Sequence, residues 1–287
     1  MQLQDIHLRD PFVLPDGGKY YMYGTAKVTR KNNATVMTVY VSDDLFDWQP
    51  IETVLKIPDG FWGTQDYWAP DVFLYRDRYY MLITLGAPGR KRGTQILVAD
   101  SPTGDFTPLT DGPITPPDRQ CLDATLYFEN GTPYLVYSWE WLETGSGKLV
   151  LVQLSDDLTH TVGGESILLS AAESGISACL QGEYEGKTVN GYVTDAPLVY
   201  KTESGKYLLM WSTFSQSGYS IAIAESDTLR GVYRHREVLF DRDGGHAMLF
   251  KDYLGTHYIS FHSPNDDVER PTFLPIEETD NMLRLTA

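Results

Sequence analysis

The chain has 287 residues, 42% hydrophobic and 22% charged, which suits one large domain or two small ones with a sizeable core. A net charge of −16 repels phosphate backbones and anionic membranes, so neither nucleic acid nor a membrane is expected as a partner, and neutral substrates and cations are favoured. Cys121 and Cys179 fit no metal or redox spacing, no apolar run approaches the roughly 18 residues of a membrane span, and residues 1–15 show no signal peptide, so the expected location is the cytoplasm, or else an export signal has been trimmed.

Five segments repeat along the chain. Each is an apolar run led by a polar residue, then a polar turn, then a second, aromatic-rich run. The first is Asp10-Pro11-Phe12-Val13-Leu14, followed by Lys19 to Thr25. The second is Ala69-Pro70-Asp71-Val72-Phe73, followed by Arg78 to Thr84. The third is Asp123-Ala124-Thr125-Leu126-Tyr127, followed by Thr132 to Ser138. The fourth is Asp195-Ala196-Pro197-Leu198-Val199-Tyr200, followed by Lys206 to Ser212. The fifth is His246-Ala247-Met248-Leu249-Phe250, followed by Thr256 to Ser263.

Third runs follow in most units, as in Val36–Val41, Gln95–Ala99, Leu149–Leu154 and Ser220–Ala224. Asp43-Asp44, Asp156-Asp157 and Asp227 then read as turn formers without chemistry. No long stretch has a 3.6-residue apolar period, so the chain is all-β. Units start about 50–70 residues apart, the period of four-stranded propeller blades. The expected fold is a five-bladed β-propeller occupying residues 1–287 as a single catalytic domain, its blades four-stranded, antiparallel and set around a central channel. Closure is expected from a terminal strand, Gln2–His7 or Met282–Thr286, paired into the last blade. A β-sandwich with coincidental repetition is the alternative.

In a propeller the first strand of each blade lines the channel, so the residues leading those strands converge at one mouth. Among them are Asp10, Asp123, Asp195 and His246. A cluster of like charges raises at least one pKa and costs stability, which is tolerated where function needs it. Converging carboxylates without a cofactor motif suit glycoside hydrolysis. One carboxylate stays ionised to activate water, another is protonated to release the leaving sugar, and a third tunes the acid.

Arg9-Asp10-Pro11-Phe12, Trp68-Ala69-Pro70-Asp71-Val72, Leu122 to Phe128, Asp195 to Lys201 and Gly244-Gly245-His246 together resemble glycoside hydrolase family 43, in order from about residue 5 to Pro271. The resemblance implies a five-bladed propeller that inverts at the anomeric carbon. It implies action mainly on arabinofuranosyl and xylosyl linkages, some members taking galactosyl ones. Asp10 then looks like the general base and Asp123 like the residue that tunes and orients the acid. The acid position falls on Asp195, where the family usually has Glu-Gly-Pro and this chain has Asp-Ala-Pro. The acid is therefore Asp195, or a nearby Glu (Glu140 or Glu183), or the protein is weakly active or inactive.

In the family the residue equivalent to His246 often sits beside a hydrated calcium ion in the channel. No cofactor is otherwise expected, and a structural role for His246 is the alternative. Trp62, Trp68, Trp139 and Trp141 lie on or next to leading-strand loops, where they either stack on sugars or fill gaps between blades. Arg270 either forks onto sugar hydroxyls or pairs with Glu269 or Asp267. The long third unit, Glu165 to Gly191, is expected to wall one end of the mouth. Exo action on short oligosaccharides is favoured where loops close it.

Retaining fructan-type hydrolases are disfavoured because no second Arg-Asp-Pro follows Arg9-Asp10-Pro11. Mannoside phosphorylases are disfavoured because Arg90-Lys91-Arg92 reads as a solvated hairpin turn rather than a phosphate site. A sugar-binding propeller without turnover is the non-enzyme alternative.

Overall fold

The computed structural model describes every residue except 26, 27, 32, 33 and 287. Five antiparallel sheets follow one another along the chain as blades around an axis. Blade 1 comprises Arg9–Asp16, Lys19–Thr25, Ala34–Ser42 and Trp48–Leu55, with a short additional strand, Thr29–Lys31. Blade 2 runs from Gln65–Tyr75 through Arg78–Ala87 and Arg90–Ala99 to Thr107–Pro108. Blade 3 comprises Cys121–Glu129, Thr132–Trp139, Lys148–Leu154 and Thr161–Ser170. Blade 4 comprises Asp195–Lys201, Tyr207–Ser215, Gly218–Ser226 and Arg234–Phe240. Blade 5 comprises Gly245–Lys251, His257–Ser263, Arg270–Thr279 and Met282–Leu285.

The turns follow local chemistry. Asn130 and Gly131 both take positive φ (51° and 82°), the geometry that joins strands with the right-handed twist. Asp44 and Asp157 accept backbone N–H groups of the residues after them, as expected of outer turn formers.

The core is five apolar seams, one between each pair of blades. Met37, Val39, Ile83 and Leu97 belong to the seam of blades 1 and 2, and Leu82, Ile96, Leu135 and Val150 to that of blades 2 and 3. Leu149, Leu209 and Trp211 fill the next, and Met210, Ile223, Ile259 and Phe261 the fourth. The fifth, between blades 5 and 1, takes Val13, Met22, Trp48 and Phe250, and also Ile6 and Leu8 from the N-terminal segment.

That last seam corrects the expected closure. Met282–Leu285 does pair into blade 5, but as a hairpin with its own neighbour Arg270–Thr279. Gln2–His7 is no strand. It contains a short 3₁₀ turn, Leu3–Asp5, and wedges Ile6 into the seam. Every blade is therefore built from consecutive chain, and side chains close the ring. The Ser260 hydroxyl donates to the Pro11 carbonyl at 2.6 Å, and the Tyr20 and Tyr253 rings meet at 5.1 Å.

Each inner strand carries a bulge at the same end. The register breaks after Arg9, Trp68, Leu122, Asp195 and Gly245. The next residue takes positive φ in all five: Asp10 (53°), Ala69 (44°), Asp123 (52°), Ala196 (46°) and His246 (59°). Non-glycine residues pay for this conformation with about 1–3 kcal/mol of strain each. Pairing across the blade places Thr25, Thr84, Ser138, Ser212 and His262 opposite the residues before the bulges. These side chains catch the bulge N–H of the following blade. Ala69 N–H donates to Thr25 Oγ1 (2.7 Å), Asp123 N–H to Thr84 Oγ1 (3.0 Å), His246 N–H to Ser212 Oγ (2.8 Å), and Asp10 N–H to His262 Nδ1 (3.2 Å). At the junction of blades 3 and 4 the link differs: Ala196 N–H donates to Asp123 Oδ2 at 3.4 Å, and Ser138 Oγ has no protein partner.

This asymmetry predicts unequal costs for like substitutions. Ser212→Ala strands a buried N–H and lowers unfolding free energy by about 1–3 kcal/mol, whereas Ser138→Ala changes it by less than about 1 kcal/mol, both read by urea denaturation.

Candidate active site

A depression of about 360 Å³ opens at the bulged ends of the inner strands, lined by Arg9, Asp10, Thr25, Trp68, Leu122, Asp123, Asp195, Tyr219 and His246. Bulges re-aim side chains, and here they bring residues from all five blades to one axis. Asp10, Asp123, Asp195 and His246 meet as the sequence predicted. Their registers are not all equivalent, however. Ala196, not Asp195, matches Asp10, so Asp195 stands one residue earlier, at the place of Arg9 and Trp68.

Asp10 is held from both sides. His246 Nδ1 lies 3.1 Å from Oδ1, and the Thr25 hydroxyl donates to Oδ2 at 2.6 Å. Burial alone would raise the Asp10 pKa, but the charge and hydrogen bond of His246, with a smaller contribution from His262, outweigh it and hold the carboxyl well below its ordinary range. His246 Nδ1 is also 3.8 Å from Asp123 Oδ2. Burial would lower the His246 pKa, yet the charges of Asp10 and Asp123 win and push it up to about 10. The ring is therefore an imidazolium at neutral pH. Burial raises Asp123, the charge of Asp10 adds to the rise, and His246 opposes both.

Asp195 behaves oppositely to Asp10. Burial, then the charges of Asp123 and Glu140, push its pKa well above the ordinary value, with the Tyr219 hydroxyl at 3.1 Å from Oδ2 opposing. One mouth thus holds a carboxyl pushed toward its ionised form and another pushed toward its protonated form.

The other candidates for the acid do not line the depression. Glu140 is buried, but Oε2 pairs with Arg92 at 2.9 Å and Oε1 faces Leu142 N–H at the start of the short helix Trp141–Thr144. Glu183 is exposed on an inserted hairpin, Leu180–Tyr184 with Lys187–Gly191, and does not line the depression. That hairpin leans on the helix: a side chain at Gly182 would meet Leu142 and Trp141 within 3 Å. Lys91 of blade 2 pairs with Glu143 of the same helix, so blades 2 to 4 share a wall.

Of the aromatic candidates only Trp68 lines the depression, and the Arg92 guanidinium covers it at 4.9 Å. Trp62 is buried, its Nε1–H donating to Gln95 at 2.7 Å, and it lines a separate cleft with Phe61 and Arg90. Trp139 donates to Glu143 and carries Arg119 and Lys148 on its ring. Trp141 packs on Gly182 and Gly191. Arg270 does not reach the site and pairs with neither expected acid. It donates to the Gln4 carbonyl at 2.7 Å and lies 2.7 Å from His7 Nδ1, fastening the N-terminal segment. Nor is Arg90-Lys91-Arg92 a solvated turn: it lies within the strand Arg90–Ala99, with Lys91 and Arg92 in ion pairs.

Several residues in or against the site lie outside the sequence-predicted set, Asp71, Tyr219 and His262 among them. Asp71 is buried at the position held elsewhere by Phe12, Thr125, Leu198 and Met248. Burial pushes its pKa to about 7, against a Thr125 hydrogen bond, and its Oδ2 has no protein partner. An acid in a register that is apolar in three of the other four blades was its one visible signal. Tyr219 and His262 stand on later strands of their blades and had no such signal.

Among the described residues no group of three or more His, Cys, Asp or Glu side chains is arranged to hold a metal. His246 Nδ1 is turned to the carboxylates of Asp10 and Asp123.

His246→Asn removes the imidazolium charge from between two buried carboxylates and lowers stability by about 3–5 kcal/mol near pH 6. Because the folded pKa is raised, the contribution is complete below about 6.5 and fades as pH rises through about 10. Urea unfolding of both proteins at several pH values checks this. A gap that stays constant from pH 6 to pH 10 would show that His246 carries no charge.

Comparison with known proteins agrees with the fold. Residues 5–280 match glycosyl hydrolases family 43. The extracellular endo-alpha-(1->5)-L-arabinanase 1 of Bacillus subtilis (strain 168) is 23% identical over 259 residues, 84% of this chain and 72% of that one. The crystal structure of an endo-arabinase from Bacteroides thetaiotaomicron VPI-5482 superposes with a TM-score of 0.87 at 40% identity, covering 98% of each chain. An exo-1,5-alpha-L-arabinanase from a bovine ruminal metagenomic library shares the fold at a TM-score of 0.70 and 18% identity, over 98% of this chain and 97% of that one. With a match over nearly its whole length, this chain belongs to glycosyl hydrolases family 43.

Proposed function

We propose that the chain hydrolyses arabinofuranosyl linkages of arabinan-type saccharides with inversion, using Asp10 as base and Asp195 as acid. The observation that carries this reading is the contrast between two carboxyls at one mouth: Asp10 lies 3.1 Å from His246 Nδ1, which favours its ionised form, and Asp195 is buried beside other carboxylates, which favours its protonated form. Inverting hydrolysis needs one of each. The 40% identity to an endo-arabinase of equal length favours arabinose over xylose.

In this reading a water gives its proton to Asp10 as its oxygen bonds to the anomeric carbon. Asp195 gives its proton to the departing glycosidic oxygen as that bond breaks. Asp123 lies between them in effect: its charge raises the Asp195 pKa, and it accepts the Ala196 N–H next to the acid. His246 keeps Asp10 ionised and spreads its charge over Asp10 and Asp123. Glu140, with both oxygens engaged, is not used as the acid.

The test is hydrolysis of linear arabino-oligosaccharides, xylo-oligosaccharides and a β-D-galactofuranoside, with the product anomer followed by proton NMR. Wild type is expected to release the inverted anomer from the arabinose substrates. Asp10→Asn and Asp195→Asn are each expected to lose about 10²–10⁴-fold in kcat on them. Tight binding without turnover would support the sugar-binding alternative, and cleavage of xylosides alone would move the substrate class.

A further inference from the structure

The structure assigns a positioning role to Tyr219: its hydroxyl holds Oδ2 of Asp195, so that the transferable proton is confined to Oδ1, the oxygen left to face the substrate. This rests on Asp195 being the acid. Tyr219 stands on the third strand of blade 4, yet its ring reaches the channel mouth. The residue is 3% exposed, and its Oη lies 3.1 Å from Asp195 Oδ2.

The ring has little freedom. It stacks on His262 at 5.6 Å with planes 24° apart, and meets Phe214 at 5.0 Å. Its carbonyl accepts the Gly244 N–H at 2.9 Å. The next residue, Gly245, leaves the space the ring occupies: a Cβ there would lie 2.2 Å from it. His262 in turn accepts the Asp10 N–H and sets its Nε2 3.1 Å from Asn265 Oδ1. One packed line therefore runs from the acid through Tyr219 and His262 to the base.

The hydroxyl remains a donor, because burial and then the neighbouring carboxylates push the Tyr219 pKa well above its ordinary value. In the reaction Asp195 loses its Oδ1 proton to the leaving oxygen and becomes a carboxylate. Tyr219 keeps its own proton and still donates to Oδ2. A donor to the charged form favours that form, so Tyr219 eases the release of the proton as well as aiming it.

The test compares Tyr219→Phe, Asp195→Asn and wild type on two substrates: an arabino-oligosaccharide, whose leaving group needs an acid, and 2,4-dinitrophenyl α-L-arabinofuranoside, whose leaving group does not. Tyr219→Phe keeps the ring and its stacking. Its kcat on the oligosaccharide is expected to fall about 10–100-fold, and on the dinitrophenyl substrate by less than about threefold. The alkaline limb of its pH profile moves up, because the carboxyl has lost a donor to its charged form. Equal losses on both substrates, or no loss, while Asp195→Asn shows the leaving-group dependence, would overturn the role of Tyr219 and spare that of Asp195. No leaving-group dependence in Asp195→Asn would overturn both. Difference infrared titration of the Asp195 carboxyl, identified by its absence in Asp195→Asn, needs no turnover. Tyr219→Phe is expected to move that titration to higher pH by about one pH unit, and an unmoved titration rejects the hydrogen bond.

Discussion

A backbone conformation repeated five times governs this molecule: a left-handed residue at the mouth end of each inner strand, its N–H caught by a side chain of the preceding blade. Each such residue is strained, and a buried N–H without an acceptor is costly. The neighbouring blade meets that cost, so no blade can hold its bulge alone. The same contact that locks adjacent blades therefore turns Asp10, Asp123 and His246 toward the axis. Assembly of the ring and assembly of the site are one event. Blade closure without strand exchange follows the same logic, since His262 makes the link from the last blade to the first.

The exception in the ring falls between blades 3 and 4. There the acceptor is Asp123 itself rather than a hydroxyl, and Ser138 is left without a protein partner. The Asp123 carboxylate is thus joined to the backbone beside Asp195 and placed to act on it by charge. A single imidazolium, between Asp10 and Asp123, offsets part of the acidic cluster. It lies closer to Asp10 than to Asp123. Asp195 has the Tyr219 hydroxyl rather than a histidine against it, and burial with the charges of Asp123 and Glu140 pushes it toward its protonated form. At Asp71 burial outweighs the Thr125 hydrogen bond and the charge of His246 and raises the pKa to about 7.

The environment around this cluster is held by ion pairs that the sequence disguised. Arg92 lies on Trp68 and pairs with Glu140, and Lys91 pairs with Glu143. A basic triplet that looks solvated in sequence instead fastens blade 2 to the helix and hairpin beside the mouth. Arg270 likewise spends its guanidinium on the N-terminal segment, whose Ile6 and Leu8 complete the closing seam.

The sequence by itself determined the blades and their number. Apolar runs of strand period, turn residues such as Asn130-Gly131, and the spacing of the five units are local properties, legible without tertiary contacts. It also determined that Asp10, Asp123, Asp195 and His246 converge, because repeat position implies position around an axis. The tertiary structure alone decided the one-residue offset of Asp195, since a bulge shifts register without leaving a mark in the residue pattern. It alone decided which of the tryptophans faces the mouth, since stacking on a sugar and filling a seam call for the same side chain. It alone recruited Tyr219 and His262, which reach the axis from strands whose sequence neighbours lie in the blades. And it alone decided toward which form each carboxyl is pushed, because that depends on distances of 3–4 Å between residues more than 70 positions apart.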